Sequence, residues 1–279
     1  MLHVATVHWQ TEDWIDIQLA RLKRHIPGPF RVYAFLNGVP EANTAKFFHA
    51  STVPVREHAA KLNILADVIR GKAADDDLIM FLDGDAFPIA DLGQILEARL
   101  ASHPLVAVQR LENNGDRQPH PCFCVTTVGF WGSIGGDWSP GYTWADRSGT
   151  PVTDVGGNLL GILEKGNIGW CPLLRSNRTN LHPLWFGVYG GAVYHHGAGF
   201  RSDKLSRADL AALAQAQGRR PAAARAAAGT IDYLLRRSPI RALRGLTRAQ
   251  REDRRVARLS REFFERVRND DQFYRVLVE

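Results

Sequence analysis

A chain of 279 residues, 45% hydrophobic and 23% charged, can bury a large core, and its composition excludes a fibrous, disordered or disulfide-stapled class. No apolar run approaches the roughly 18–20 residues that span a bilayer, and MLHVATVHWQTEDW carries no mark of an export signal; Cys122, Cys124 and Cys171 therefore read as reduced thiols of a cytoplasmic protein. The positive charge is unevenly placed: residues 1–200 hold 16 Lys+Arg against 19 Asp+Glu, residues 201–279 hold 19 against 10. Composition turns rich in Ala and Arg at the same point, so a main domain is expected over 1–202 and a basic helical region over 203–279. That region suits a solvated helix surface or a peripheral contact with an anionic membrane; aromatic interleaving is too sparse for nucleic acid.

In chain order, LHVATVH (2–8) reads as a first strand. EDWIDIQLARLKRH (12–25) is a helix, with Trp14, Ile15, Leu19 and Leu22 at helical spacing. FRVYAFLN (30–37) is a second strand, stopped by Asn37-Gly38, and EHAAKLNILADVIRGK (57–72) a second helix. DLIMFL (77–82) is apolar without alternation, as in a strand buried on both faces. A third helix (90–103) and a fourth strand (105–111) follow. From 112 to 153 the pattern loosens into a segment dense in Gly, Pro, His and Trp; a helix (156–167) and late short strands in WCPLL and GAVYHH complete the body. Alternating strands and helices point to an α/β/α sandwich with a mostly parallel sheet, followed by a basic α-helical extension.

The chemistry concentrates in LIMFLDGDAFP. Asp83 and Asp85 stand one residue apart at the exit of a buried strand, where open α/β sheets bind their ligands. In extended chain, residues i and i+2 project to one side, and a turn at Gly84 brings both acids toward one point. Such oxygen donors suit Mn²⁺ or Mg²⁺, a cation able to neutralise a bound diphosphate.

At this point the chain resembles the nucleotide-diphospho-sugar glycosyltransferases of the GT-A fold, which are Rossmann-related. The residues that carry the resemblance are LHVATVH, EHAAKLNILADVIRG, the D-x-D of FLDGDAFP, TDVGGNLLGILEKGN (153–167) and YHHGAGFR (194–201), together covering about residues 1–202. The resemblance implies a metal-dependent transferase with a nucleotide-diphosphate sugar as donor and a glycan or lipid-linked acceptor. Asp83 and Asp85 would hold the metal. A late histidine three residues before a glycine completes such sites in some members, which implies His196, before Gly199, with neighbouring His195 as the weaker choice. The family usually continues with Lys-Pro-Trp; here Phe200-Arg201-Ser202 follows, so Arg201 or Lys204 would make the cationic contact to the phosphates. Asp154 stands where inverting members keep the base that deprotonates the acceptor; it also precedes a helix start, where Asp is a favoured cap. Asp137 and Asp146 are weaker choices. Thr6, His8 and Trp9 at the end of the first strand would lie under the nucleotide, with Trp9 stacking a base or packing in the core. Lys61, Asn63 and Gly84 are further donor-side candidates. Trp131, Trp138 and Trp144 would form either an acceptor platform or a small hydrophobic core.

Two other readings stay open on the residues alone. One is a haloacid-dehalogenase-like phosphatase, which also places D-x-D after an apolar strand, although Phe87 stands where Thr or Val is usual. The other is an inactive carbohydrate-binding module on the same scaffold.

Overall fold

The burial of β1 (Leu2–Trp9) sets the layers: Leu2 and Val4 face one core, Ala5 and Val7 the other. The same period-2 split runs through β2 (Phe30–Asn37) and β4 (Leu78–Asp83). Val32, Ala34, Leu36, Met80 and Leu82 join the first core; Tyr33, Phe35, Ile79 and Phe81 join the second. Strands buried on both faces need helices on both. The first face is covered by α1 (Ile15–His25) and α3 (Leu92–Leu100), through Ile15, Leu22, Leu92 and Leu96. The second is covered by α2 (His58–Arg70), α4 (Val128–Ser133) and α5 (Gly157–Lys165), through Leu62, Leu65, Ile69, Trp131, Leu159 and Leu163. The computed structural model describes residues 1–197 and 248–279, the latter with side chains from Arg255 onward.

With β3 (His49–Ser51), β6 (Leu105–Val108), β7 (His120–Thr127) and β10 (Cys171–Leu173), the main sheet runs β10-β6-β7-β4-β1-β2-β3. All neighbours are parallel except β7, which is antiparallel to both β4 and β6. This is the mixed α/β sandwich with a mostly parallel sheet that the element pattern predicts.

β7 and α4 lie inside the stretch expected to be irregular. The strand is masked in sequence by Pro121, but Pro121 falls at a break in the ladder: Ala107 faces Cys124, while the next residue, Val108, faces His120. The extra residues bulge there, where a proline's missing N–H costs little. A short pair, β8 (Trp144–Ala145) and β9 (Pro151–Val152), ends the loop.

A second sheet, β11-β12-β5, springs from the end of β4. It comprises β5 (Ala86–Pro88), β11 (Gly187–Tyr189) and β12 (Val193–His195), all antiparallel. Its outer face is packed by α6 (Arg248–Asn269) and α7 (Arg275–Val278): Val256, Phe263, Val267, Phe273 and Leu277 share a third core with Trp14, Phe87, Phe186 and Tyr194. Asp271 pairs with Arg21 at 2.9 Å and with Arg24. The end of the basic region is thus built into the body of the protein. Among the described residues, no helix is long and apolar enough to cross a membrane.

Candidate active site

The parallel register that sets Val7 beside Asp83 brings the carboxyl ends of β1 and β4 to one edge of the sheet. There the chain leaves the main sheet through Asp83-Gly84-Asp85 and enters β5. Gln18, fully buried on α1, fixes this turn: its Nε2 donates to Asp83 O and Ala86 O, both at 2.8 Å, and its Oε1 accepts from Thr6 Oγ1 at 3.0 Å. β12 then supplies the third group. Because His195 pairs with Ala86, its Nε2 stands 3.5 Å from Asp83 Oδ2 and 3.4 Å from Asp85 Oδ1. One donor atom from each of the three residues lies within 4.8 Å of the others, an oxygen–nitrogen set that could hold a metal ion.

Two further histidines surround this centre. His58, in the first turn of α2, donates from Nε2 to Asp83 Oδ1 at 3.0 Å. The His120 ring centroid lies 5.8 Å from that of His195. Burial opposes the Asp83 charge, but the His58 hydrogen bond and the nearby His195 and His120 hold its carboxyl well below the usual carboxylate range. Asp85 is likewise depressed: burial works against its charge, and His195 outweighs it. Asp85 Oδ2 also accepts from Gly197 N at 3.0 Å. Burial, reinforced by Arg110, pushes His120 far below its ordinary value.

The cluster opens into a pocket of about 400 Å³. On one side stand Trp9, Arg56 just ahead of α2, and His58 and Lys61 from the start of α2; on the other, Arg110, Asn113, Pro121, Asp154 and Val155. Lys61 is buried, with Nζ 3.9 Å from the Trp9 ring centroid, and burial brings its pKa down to about 8. Among the described residues its ammonium makes no ion pair or hydrogen bond. On the far side, Asp154 is exposed and its Oδ1 accepts from Val155 N. The N-cap of α5 is Gly156, in the left-handed region at φ +89, where a Cβ would meet Pro119 O at 2.3 Å; Asp154 is not the cap. Asp116, below it, is buried and holds Asn113 Nδ2 at 2.7 Å; burial, with a contribution from the Asp154 charge, pushes its carboxyl up to about 6.

Of the residues marked from sequence, Asp83, Gly84, Asp85, Trp9, Lys61, Asp154 and His195 line this one pocket. His196 does not. Adjacent residues leave a strand on opposite sides, and His196 turns away, its Nδ1 2.8 Å from Tyr194 OH and its Nε2 3.0 Å from Ser260 Oγ. His195 takes the place expected of it. Trp131, Trp138 and Trp144 are no acceptor platform: all three are buried, the first two packed on Phe81. Thr6 and His8 are wholly buried beneath the site, Thr6 spent on Gln18 and His8 held down to about 4 by burial. Asn63 is structural: it donates to Asp137 Oδ1 at 2.7 Å and accepts from Trp138 N at 3.0 Å, which accounts for Asp137 as well. Asp146 caps its own turn through Ser148 and Thr150. Arg201, with Gly199, Phe200, Ser202 and Lys204, lies outside the described residues. His58, His120, Arg56, Arg110 and Asn113 escaped the sequence reading.

No family model matches the chain, and no curated protein matches it. Among solved structures, the chain is similar to TarS of S. aureus, at 12% identity and a TM-score of 0.37 over 50% of each chain; TarS has also been solved with UDP-GlcNAc. It is similar to the mannosyltransferase PcManGT from Pyrobaculum calidifontis, in complex with GDP-Man and Mn²⁺, at 13% identity and a TM-score of 0.36 over 50% of this chain and 47% of that one. A third is the glycosyltransferase GlyE of Streptococcus pneumoniae, at 15% identity and a TM-score of 0.37 over 59% and 39%. The chain spans half or less of the length of these structures.

Proposed function

We propose that this protein is a metal-dependent glycosyltransferase that moves a sugar from a nucleotide-diphosphate donor to a hydroxyl of a glycan or lipid-linked acceptor. The observation that carries this reading is the meeting of Asp83, Asp85 and His195 at the carboxyl edge of β1 and β4, facing a pocket with a cationic wall.

Asp83, Asp85 and His195 are the residues that would hold Mn²⁺ or Mg²⁺, which supplies charge neutralisation to the departing diphosphate. His58 orients Asp83 by hydrogen bonding to the carboxylate oxygen that faces away from His195. Lys61, a buried cation that makes no ion pair among the described residues, and Arg56 beside it bind the phosphates, next to the amino end of α2. Trp9 gives one face to the Lys61 ammonium and so fixes that charge in the pocket. Asp154, exposed at the opposite wall, is the base that takes the proton from the acceptor hydroxyl. The exposed arginines of α6, such as Arg258 and Arg261, support a peripheral contact with an anionic membrane.

A panel of UDP- and GDP-sugars, with and without Mn²⁺, tests the reading by thermal shift and by nucleotide release. One or more donors are expected to raise Tm only when the metal is present and to be hydrolysed slowly without acceptor. Hydrolysis of simple phosphomonoesters with no response to any nucleotide sugar would replace this reading with a phosphatase.

A further inference from the structure

We infer that the C-terminal helix α6 belongs to the framework of the cation site, with Ser260 as a positioning residue that acts on Asp85 and His195 through His196. This rests on the reading of Asp83, Asp85 and His195 as a cation site.

The His196 side chain is held at every edge. The residue is buried, its two ring nitrogens each meet a hydroxyl, Tyr194 OH at 2.8 Å and Ser260 Oγ at 3.0 Å, and its ring lies against Trp14 and Phe186 at centroid distances of 4.6 and 4.9 Å. A neutral imidazole has one donor and one acceptor nitrogen, and hydroxyls can serve either. Rotation of the ring would orphan both nitrogens in an apolar enclosure, which a buried polar group resists.

The peptide units on either side of His196 hold Asp85. His196 N donates to Asp85 O at 3.0 Å, and Gly197 N donates to Asp85 Oδ2 at 3.0 Å. Gly197 has φ +76, a conformation that a side chain would strain. With Oδ2 held from behind, Asp85 presents Oδ1 to His195, the residue immediately before the pinned ring. The path therefore runs from Ser260 to the His196 ring, to two backbone N–H groups, to the carboxylate. Ser260 itself is fixed because its neighbours Val256 and Phe263 are buried in the third core and Phe264 meets Trp14 edge-on at 4.8 Å. A residue 64 positions along the chain from His196 thus sets the aim of a ligand.

Mn²⁺ titration of the full chain, followed by electron paramagnetic resonance, tests this on Ser260→Ala, Ser260→Thr and Tyr194→Phe. Partners beyond the ligands themselves typically alter metal affinity 10–100-fold; one step further out, about a three- to tenfold loss is expected for Ser260→Ala and for Tyr194→Phe, with a changed spectrum of the bound ion. Ser260→Thr, which keeps the hydroxyl, restores both. Val106→Ala, in the main sheet, lowers Tm without moving the Mn²⁺ affinity and controls for general loss of stability. If Ser260→Ala and Tyr194→Phe bind Mn²⁺ as the wild type does, with an unaltered spectrum, the coupling is wrong while the cation site stands. If one of the two does not fold, the other decides. If the wild type binds no Mn²⁺, the cation site falls, and this inference falls with it.

Discussion

His58 Nε2 lies 3.0 Å from Asp83 Oδ1, so the first turn of α2 is tied by one hydrogen bond to the carboxyl end of β4. The other oxygen of the same carboxylate faces His195 at 3.5 Å. Asp83 is thereby pinned from one side and presented on the other. Removing the pin with His58→Ala is expected to weaken Mn²⁺ binding at least about tenfold while leaving the fold intact, as partners that orient metal ligands generally do. Isothermal titration with Mn²⁺ checks this; an unchanged Kd would show that Asp83 needs no help from α2.

Gln18 serves Asp83 O, Ala86 O and Thr6 Oγ1 at once and also meets His8. Gln18→Leu keeps the volume and leaves Asp83 O, Ala86 O and Thr6 Oγ1 without that partner. Each orphaned buried group costs about 1–3 kcal/mol, so a total loss of about 2–4 kcal/mol is expected, allowing for relaxation. A urea unfolding series measures it, and a loss below about 0.5 kcal/mol would contradict the clamp.

Lys61 carries a conflict between stability and binding. Burial holds its pKa near 8, below the 10.5 of a free lysine, so between these values the folded chain binds fewer protons than the unfolded one. Stability from this group therefore rises with pH from about 8 to 10.5, and the cost of burying the charge is fully present below 8. Lys61→Met is expected to raise Tm by a few degrees at pH 7, to flatten that alkaline rise, and to weaken UDP binding at least about tenfold. Differential scanning fluorimetry across pH 6–11, with UDP titration at pH 7, decides it. A lower Tm with unchanged UDP affinity would mean that Lys61 serves only Trp9.

Trp138 is wholly buried against Phe81 and Trp131, at ring-centroid distances of 5.0 and 5.6 Å. Trp138→Ala is expected to cost about 3–5 kcal/mol of stability, the range for deleting a large aromatic from a core. Equilibrium unfolding measures this, and a loss under about 1 kcal/mol would return Trp138 to the surface as an acceptor contact.

These relationships mark where sequence stops being informative. The D-x-D and its place at a strand exit were legible because β4 is an unbroken apolar run that ends on two acids, and a strand buried on both faces leaves that composition no other role. The layers were legible in the alternation of strands and helices along the chain, but the period-2 split of β1, β2 and β4 between two cores shows only in their burial, because β4 is apolar without alternation. His58 was not, because its partner lies 25 residues away and the pairing exists only once α2 is laid along β1. The choice between His195 and His196 depends on the register that sets His195 against Ala86, and neighbouring histidines carry no mark of strand parity. The tryptophans misled because an aromatic residue suits a sugar face and a core equally well; only the packing on Phe81 separates the two. β7 was hidden by Pro121, which a bulge accommodates.

The most direct measurement is Mn²⁺ binding to the wild type and to the Asp83→Ala/Asp85→Ala double variant, each with and without UDP or GDP. One Mn²⁺ per wild-type chain is expected, bound more tightly with a nucleoside diphosphate present, and none at that site in the double variant. Equal Mn²⁺ binding by the two proteins, or none by the wild type even with diphosphate, would contradict the account.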